Sequence, residues 1–236
     1  YEIKECDWSS DVCSSDLGME ENVAHEVFET ARIVGEAAGD KRGLAKLHNA
    51  YGMLAGMAGF AEDSTHSILE AERYAVEVDD RETLVALRVT VGVWMLHRGQ
   101  LRDALFLIQQ GIDLADGNAD FAADRMGFSP VAFLTLYRGV VHSVLGDLTT
   151  GRVDVEAALE LSRRREEPEL ECFCLGFAAL FAFYAGDSSQ ILSMARQTME
   201  IATRLGSPFI MGWANGVLGT AHRMLGEWDE IGRAHV

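Results

Sequence analysis

Proline is scarce in this chain: Pro130, Pro168 and Pro208 are the only three in 236 residues. Long helices can therefore run without the lost hydrogen bond and steric clash that an interior proline imposes. Positive charge is also short, with 20 Lys and Arg against 37 Asp and Glu and a formal net charge of −17. Such a balance repels polyanions, so a nucleic-acid groove and adsorption to an anionic membrane are both excluded as expectations. No apolar run approaches the ~20 residues of a membrane span, and no secretory leader is read. Alternating β-branched runs are missing, so no sheet is expected. Of the four cysteines, Cys6 and Cys13 belong to an N-terminal flank treated below. Cys172 and Cys174 remain, two apart in an apolar helical stretch. Because a helix turns about 100° per residue, their thiols point to different sides of it. Without a second pair at metal-ligand spacing they read as small buried hydrophobes, not as a zinc or redox site. Reduced thiols without a leader fit the cytoplasm.

The motifs that carry chemistry are missing too. There is no phosphate-cradling Gly-x-x-x-x-Gly-Lys-Ser/Thr, no Gly-x-Ser-x-Gly elbow and no His-Glu-x-x-His. No catalytic, cofactor-binding or metal-ligating residues are expected. His25, His48, His66, His97, His142 and His222 are scattered. His142 and His222 share one phase of the repeat described next, where a ring fills a seam between helices.

The two ends are related to one another in a way folding does not explain. Ile231 to Val236 can be encoded by ATC GGA AGA GCA CAC GTC. Its reverse complement, GAC GTG TGC TCT TCC GAT, encodes Asp11 to Asp16. One codon further, GAG for Glu230 opposes CTC for Leu17. Such inverted ends are expected of a sequencing adapter ligated to both ends of a DNA fragment and translated with it. Residues 1–17 and 230–236 are accordingly read as non-native tails, and residues 18–229 as a fragment of a longer protein. Removing the tails takes two basic residues (Lys4, Arg233) and six acidic ones (Glu2, Glu5, Asp7, Asp11, Asp16, Glu230), leaving 18 against 31 and a net charge of −13.

What the body does contain is a repeat. Gly59, Gly99, Gly146, Gly186 and Gly226 follow one another at intervals of 40, 47, 40 and 40. Gln100, Asp147, Asp187 and Glu227 come directly after the last four and suit a turn. Between them lies a second class of turn: Gly39-Asp40, Asp79-Asp80, Glu167-Pro168 and Ser207-Pro208. A proline there can open the following helix. Each unit thus reads as helix A, tight turn, helix B, looser turn. Seven positions before the central glycine stand Gly52, Gly92, Gly139, Ala179 and Gly219. Five after it stand Ser64, Ala104 and Gly151, with Ile191 as the exception. Twelve after it stand Ala71, Gly111, Ala158 and Thr198. Nine after it an apolar residue recurs in Ile68, Ile108, Val155 and Ala195. Small residues at fixed phase let neighbouring helices approach closely, and the apolar position fills the seam. One period before Gly59, Ala24, Phe28 and Ala31 keep the pattern, so the body begins on a helix B. The seven-residue excess falls between Asp116 and Pro130.

This spacing of small residues resembles the tetratricopeptide repeat, with units of about 40 residues against the family's usual 34. It is similar to the helical arms of large bacterial signalling ATPases, in which an ATPase module is coupled to a nucleotide cyclase or a DNA-binding domain. Gly127-Phe128-Ser129-Pro130, Gly206-Ser207-Pro208-Phe209 and Leu218-Gly219-Thr220-Ala221-His222 carry that likeness. It implies an all-α, right-handed α-solenoid of tetratricopeptide-like hairpins, truncated at both ends. Its concave face would be lined by the A helices. Thirteen before the central glycine stand Phe133, Phe173 and Trp213; Phe183, Tyr184, Arg223 and Asn49 fall on the same face. Aromatics with an arginine are the composition of binding anchors. The alternative is a stripe that packs on itself as core. The expected function is a non-catalytic coupling arm that binds a protein partner or its own ATPase module. A small-molecule sensor with an apolar ligand in that groove is the second reading, and a fragment of an all-helical enzyme the third.

Overall fold

A computed structural model describes residues 21–184 and 188–231. The N-terminal flank at 1–17 and the turn at Gly186-Asp187 lie outside the described residues. Among those described there is no strand. The chain divides into two compact units, Tyr1–Thr83 and Leu84–Val236.

The described part of the first unit contains α1 (Glu21–Ala38), α2 (Lys41–Met57) and α3 (Ala61–Glu77). The start of α4 (Arg81–His97) also falls within it. Each boundary has a local cause. Asp40 caps α2 by accepting from the Gly43 amide at 2.9 Å. Asp80, buried at 5 % exposure, accepts from the Thr83 amide at 3.2 Å and the Thr83 hydroxyl at 2.7 Å, at the head of α4. The turn between α2 and α3 uses Gly59 at φ +91°, a conformation that costs glycine little and other residues more. α2 packs on α1 and on α3. Their seam is the expected one: a Cβ on Gly52 would meet Ile68 and the Ser64 carbonyl, and the Ser64 hydroxyl donates to the Gly52 carbonyl at 2.6 Å.

The second unit runs from Leu84 in α4 through α5 (Leu101–Leu114), α6 (Ala123–Met126), α7 (Pro130–Val144), α8 (Leu148–Arg164), α9 (Pro168–Tyr184), α10 (Ser188–Leu205), α11 (Pro208–Leu225) and α12 (Trp228–Ile231). All three prolines sit at the first position of a helix, α7, α9 and α11, where the missing amide N–H would have had no partner. Ser129 and Asp147 cap α7 and α8 through the Ala132 and Thr150 amides at 3.2 and 3.0 Å. The seven-residue excess is resolved as a connection containing the single turn α6. It is tied to the end of α8 by an Arg165–Asp120 ion pair and by the Ser129 amide, which donates to Glu167 at 2.9 Å.

Helices pack on their chain neighbours, α7 on α8, α8 on α9, α9 on α10 and α10 on α11, and alternate helices also touch, α7 with α9 and α9 with α11. This is a solenoid-like repeat fold, in which each hairpin is supported mainly by the next. The repeating small residues mark where the backbones come closest. A Cβ on Gly139 would lie 2.7 Å from the Gly151 carbonyl oxygen, and one on Gly92 would lie 2.8 Å from Ile108. One on Gly111 would strike both Arg88 on α4 and Leu134 on α7, at 2.8 and 2.7 Å. Ala104, Ile108, Val155 and Ala158 fill these seams and are at most 1 % exposed. Among the described residues, no helix is long and apolar enough to cross a membrane.

Candidate interaction surface

The A helices of the second unit carry a chain of aromatic rings. On α7, Phe133 stacks on Tyr137 with ring centres 4.6 Å apart. Tyr137 meets Phe177 of α9 edge-on at 5.7 Å. Phe177 and Phe173 both reach Trp213 of α11, at 5.0 and 5.3 Å. Phe173 continues to Phe209 at 6.2 Å. Tilted and edge-on pairs of this kind bring the positive rim of one ring toward the negative face of the next. The Trp213 indole donates a long hydrogen bond of 3.4 Å to the Cys172 carbonyl. The indole can reach it because position 176 is glycine: a Cβ there would lie 2.7 Å from the Trp213 Nε1.

Three of the seven residues singled out in the sequence, Phe133, Phe173 and Trp213, are therefore joined in one ladder, all half-buried. Phe133 and Phe173 rest on the core centred on Leu134, Leu136 and Cys174, while Phe173 and Trp213 rest on that of Leu175, Ile201 and Ile210. Tyr137, Phe177 and Phe209 also belong to the ladder, as does Phe128, 5.2 Å from Phe133, and none of the four was singled out as an anchor. Tyr137 and Phe177 follow Phe133 and Phe173 by four positions, the spacing that puts two side chains on one helix face, and that signal was readable. Tyr137 is deeply buried, which pushes its hydroxyl up to about 12.

A second group lies at the end of α9 and on α11. Phe183 and Tyr184 have ring centres 5.0 Å apart, and the Arg223 guanidinium stands 6.0 Å from the Phe183 ring. Phe183 and Trp213 pack against the same core of Ala179, Ile191, Ala195, Val217 and Ala221. Tyr184, 64 % exposed, is the most open ring of the two groups. Asn49 belongs to the first unit, half-buried on α2.

The histidine expected to fill a seam at the end of α11 does so: His222 is 9 % exposed and its Nδ1 is 2.8 Å from Glu227. Cys172 and Cys174 are fully buried and unpaired, and burial pushes their thiols up to about 11 and about 12. Among the described residues no group of three His, Cys, Asp or Glu is placed to hold a metal ion.

The fold defines the class: an all-α chain of consecutive helical hairpins. Among the solved structures that match it is BtubC (BKLC) from P. vanneervenii, with a TM-score of 0.64 and 14 % sequence identity over 89 % of this chain and 85 % of that one. This chain is similar to it in fold. No family model matches the sequence, and no curated protein does.

Proposed function

We propose that this chain is a non-catalytic interaction arm of a larger cytoplasmic bacterial signalling protein. It binds a partner segment, or an ATPase module of its own protein, on the A-helix face of the second unit. The observation that carries this reading is the open end of the aromatic surface. The half-buried ladder supplies a stiff base, and Tyr184 and Arg223 stand exposed beside it. Tyrosine and arginine over a rigid apolar base are the residues that dominate binding energy at interfaces. Stacked helical hairpins suit such a task because they present one long face built from many units.

The test begins with the source gene, sequenced outward past Gly18 and Asp229. The adjoining module is expressed, and its binding to this arm is measured by titration calorimetry. Tyr184→Ala and Arg223→Ala are each expected to weaken that binding by about tenfold or more, the loss typical of an anchor residue. Unchanged affinity in both variants sinks the assignment of this face. A small-molecule sensor would instead gain thermal stability from a metabolite by mass action, and an apolar ligand protecting the wild type but not the Phe173→Ala protein would favour that reading.

A further inference from the structure

A groove of about 660 Å³ runs between α1 and α2 of the first unit, lined by Val27, Val34 and Gly35 on α1 and by Gly43, Leu44 and Leu47 on α2, among others. Val27 and Val34 are 62 % and 63 % exposed. Single exposed apolar side chains are ordinary on a protein surface, but the repeat gives these two a context. Fifteen and sixteen positions after the central Gly186 stand Ile201 and Ala202 on α10, and sixteen and twelve before the next central glycine stand Ile210 and Ala214 on α11. Counted from position 19, one period before Gly59, the same phases are Val34 and Gly35 on α1 and Gly43 and Leu47 on α2. All four line the groove.

In the second unit that seat is full. Ile201, Ala202, Ile210 and Ala214 are at most 5 % exposed, because Cys172 and Leu175 of α9, at 0 % and 2 %, pack on them. The seat one unit earlier is full as well: Leu170 and Cys174 of α9, with Leu161 of α8, share a core with Ala132 of α7. Each time the occupant is the helix directly before in the chain, α9 before α10 and α7 before α8. Eight positions after the central glycine the contrast repeats. Asp154 of α8 is 6 % exposed and paired with Arg138 of α7 at 2.7 Å. Val27 holds that phase on α1 and stands in the open. Among the described residues, α1 has its following helix, α2, but no helix before it of the kind that α8 and α10 each have.

We propose that this groove seats an amphipathic helix of the same polypeptide, encoded directly upstream of Gly18. The seat sets that helix's chemistry. It carries a small apolar residue fourteen and again seven positions before position 19, as Cys172 and Ala179 stand on α9 and Ala132 and Gly139 on α7, so that it can approach α1 closely. Covering Val27 and Val34 removes their apolar surface from water, which drives the docking. This docking requires residues 18–229 to be part of a longer chain, as read above, and is independent of the partner face on the second unit.

The test compares the chain as it stands with a chain extended upstream by one unit of about 40 residues from the source gene. Val34→Cys and Ile33→Cys are made in both. Both positions are exposed, so neither substitution threatens the fold. Ile33 is the control because its phase stays outward: its counterparts Arg73 and Glu160 are exposed. Iodoacetamide labelling is followed by peptide mass spectrometry. The thiol of the Val34→Cys protein is expected to label at least about tenfold more slowly in the extended chain, since thiol reactivity follows exposure. That of the Ile33→Cys protein is expected to label alike in both. Equal rates for Val34→Cys in the two chains overturn the proposal, as does equal slowing at both positions, and as does a source gene that itself encodes residues 1–17. The labelling reads the first unit alone, so its result is separate from that of the Tyr184 and Arg223 titrations.

Discussion

Gly151→Ala adds one methyl group where α8 crosses α7. That Cβ would lie 2.7 Å from the Gly139 carbonyl oxygen and would also run into the Ser143 hydroxyl. The hydroxyl can rotate away, at the loss of its 3.0 Å bond to the Gly139 carbonyl. The carbonyl cannot, because it is part of the helix. Ordinary contact begins near 3.4 Å, so the two backbones must separate by about 0.7 Å along a seam where Val141, Val155 and Ala158 are at most 1 % exposed. Overpacking of a tight interior costs about 1–3 kcal/mol. The lost hydroxyl bond adds about 1 kcal/mol, and alanine's better helix propensity returns about 0.5–1 kcal/mol. A net destabilisation of about 1–3 kcal/mol follows, or roughly 2–4 °C in Tm for each kcal/mol in a chain of this size. The control is the same substitution at Gly216, inside α11, where a new Cβ meets nothing within 4 Å. There only the propensity gain remains, and stability should rise by about 0.5–1 kcal/mol. Urea unfolding followed by far-UV circular dichroism should place the two midpoints on opposite sides of the wild type. A Gly151→Ala midpoint at or above the wild type would falsify the claim that close approach, not glycine's flexibility, places glycine there.

Three further outcomes follow from the same geometry. Gly176→Ala pushes a Cβ to within 2.7 Å of the Trp213 Nε1; the Trp213 indole N–H resonance should move and stability fall by about 1–2 kcal/mol, and an unmoved resonance contradicts the packing described. Cys172 and Cys174, buried with thiols pushed up to about 11 and about 12, should resist iodoacetamide in the native protein at mildly alkaline pH and react once it is unfolded; native labelling found by peptide mass spectrometry argues against their burial. Because burial lowers the His48 pKa, the unfolded chain takes up a proton below its ordinary 6.5 that the folded chain resists. Stability of the first unit should therefore fall as pH drops from 6.5 toward the lowered value, and level off beneath it. Glu29 and Glu70, lowered chiefly by hydrogen bonds from Arg32 and Arg73, act only below their ordinary 4.5, so they do not contribute to the slope between 6.5 and 4.5. His48→Phe should flatten the upper slope; an unchanged slope assigns it elsewhere.

The repeat was legible because its causes are local. A glycine that closes a turn, a proline that opens a helix and an Asp or Ser that caps one act within a few residues. Gly59, Pro130, Asp40 and Asp147 accordingly mark boundaries in the chain and in the structure alike. The small residues at fixed phase were legible for a related reason: one packing geometry, repeated, imposes one period. The partners they meet, Gly52 with Ile68 and Gly139 with Gly151, are those the period implies. The aromatic surface was half legible. Phe133, Phe173 and Trp213 share a phase, and Tyr137 and Phe177 follow four positions on along the same helix faces, but the rings join across helices only because α7 lies beside α9 and α9 beside α11. Phe183, Tyr184 and Arg223 fall at other positions read onto the same face, and they form a group of their own at the end of α9 and on α11.

The histidines show where sequence stopped. His142 and His222 were placed by their phase in the repeat, and His222 does fill a seam against Glu227. Nothing in its local sequence distinguishes His48 from His25 or His66. It is deeply buried between Phe28 and Tyr74 because α1 and α3 close over α2 from both sides, and the carboxylates of Glu29, Glu36 and Glu70 come near it from two different helices. By itself the sequence determined the helices, their order and the register of their contacts, since turn chemistry and side-chain size act along the chain. Only the tertiary structure decided which rings touch, which end of the aromatic stripe stays open and which imidazole loses its water, because those depend on residues far apart in sequence meeting across helices.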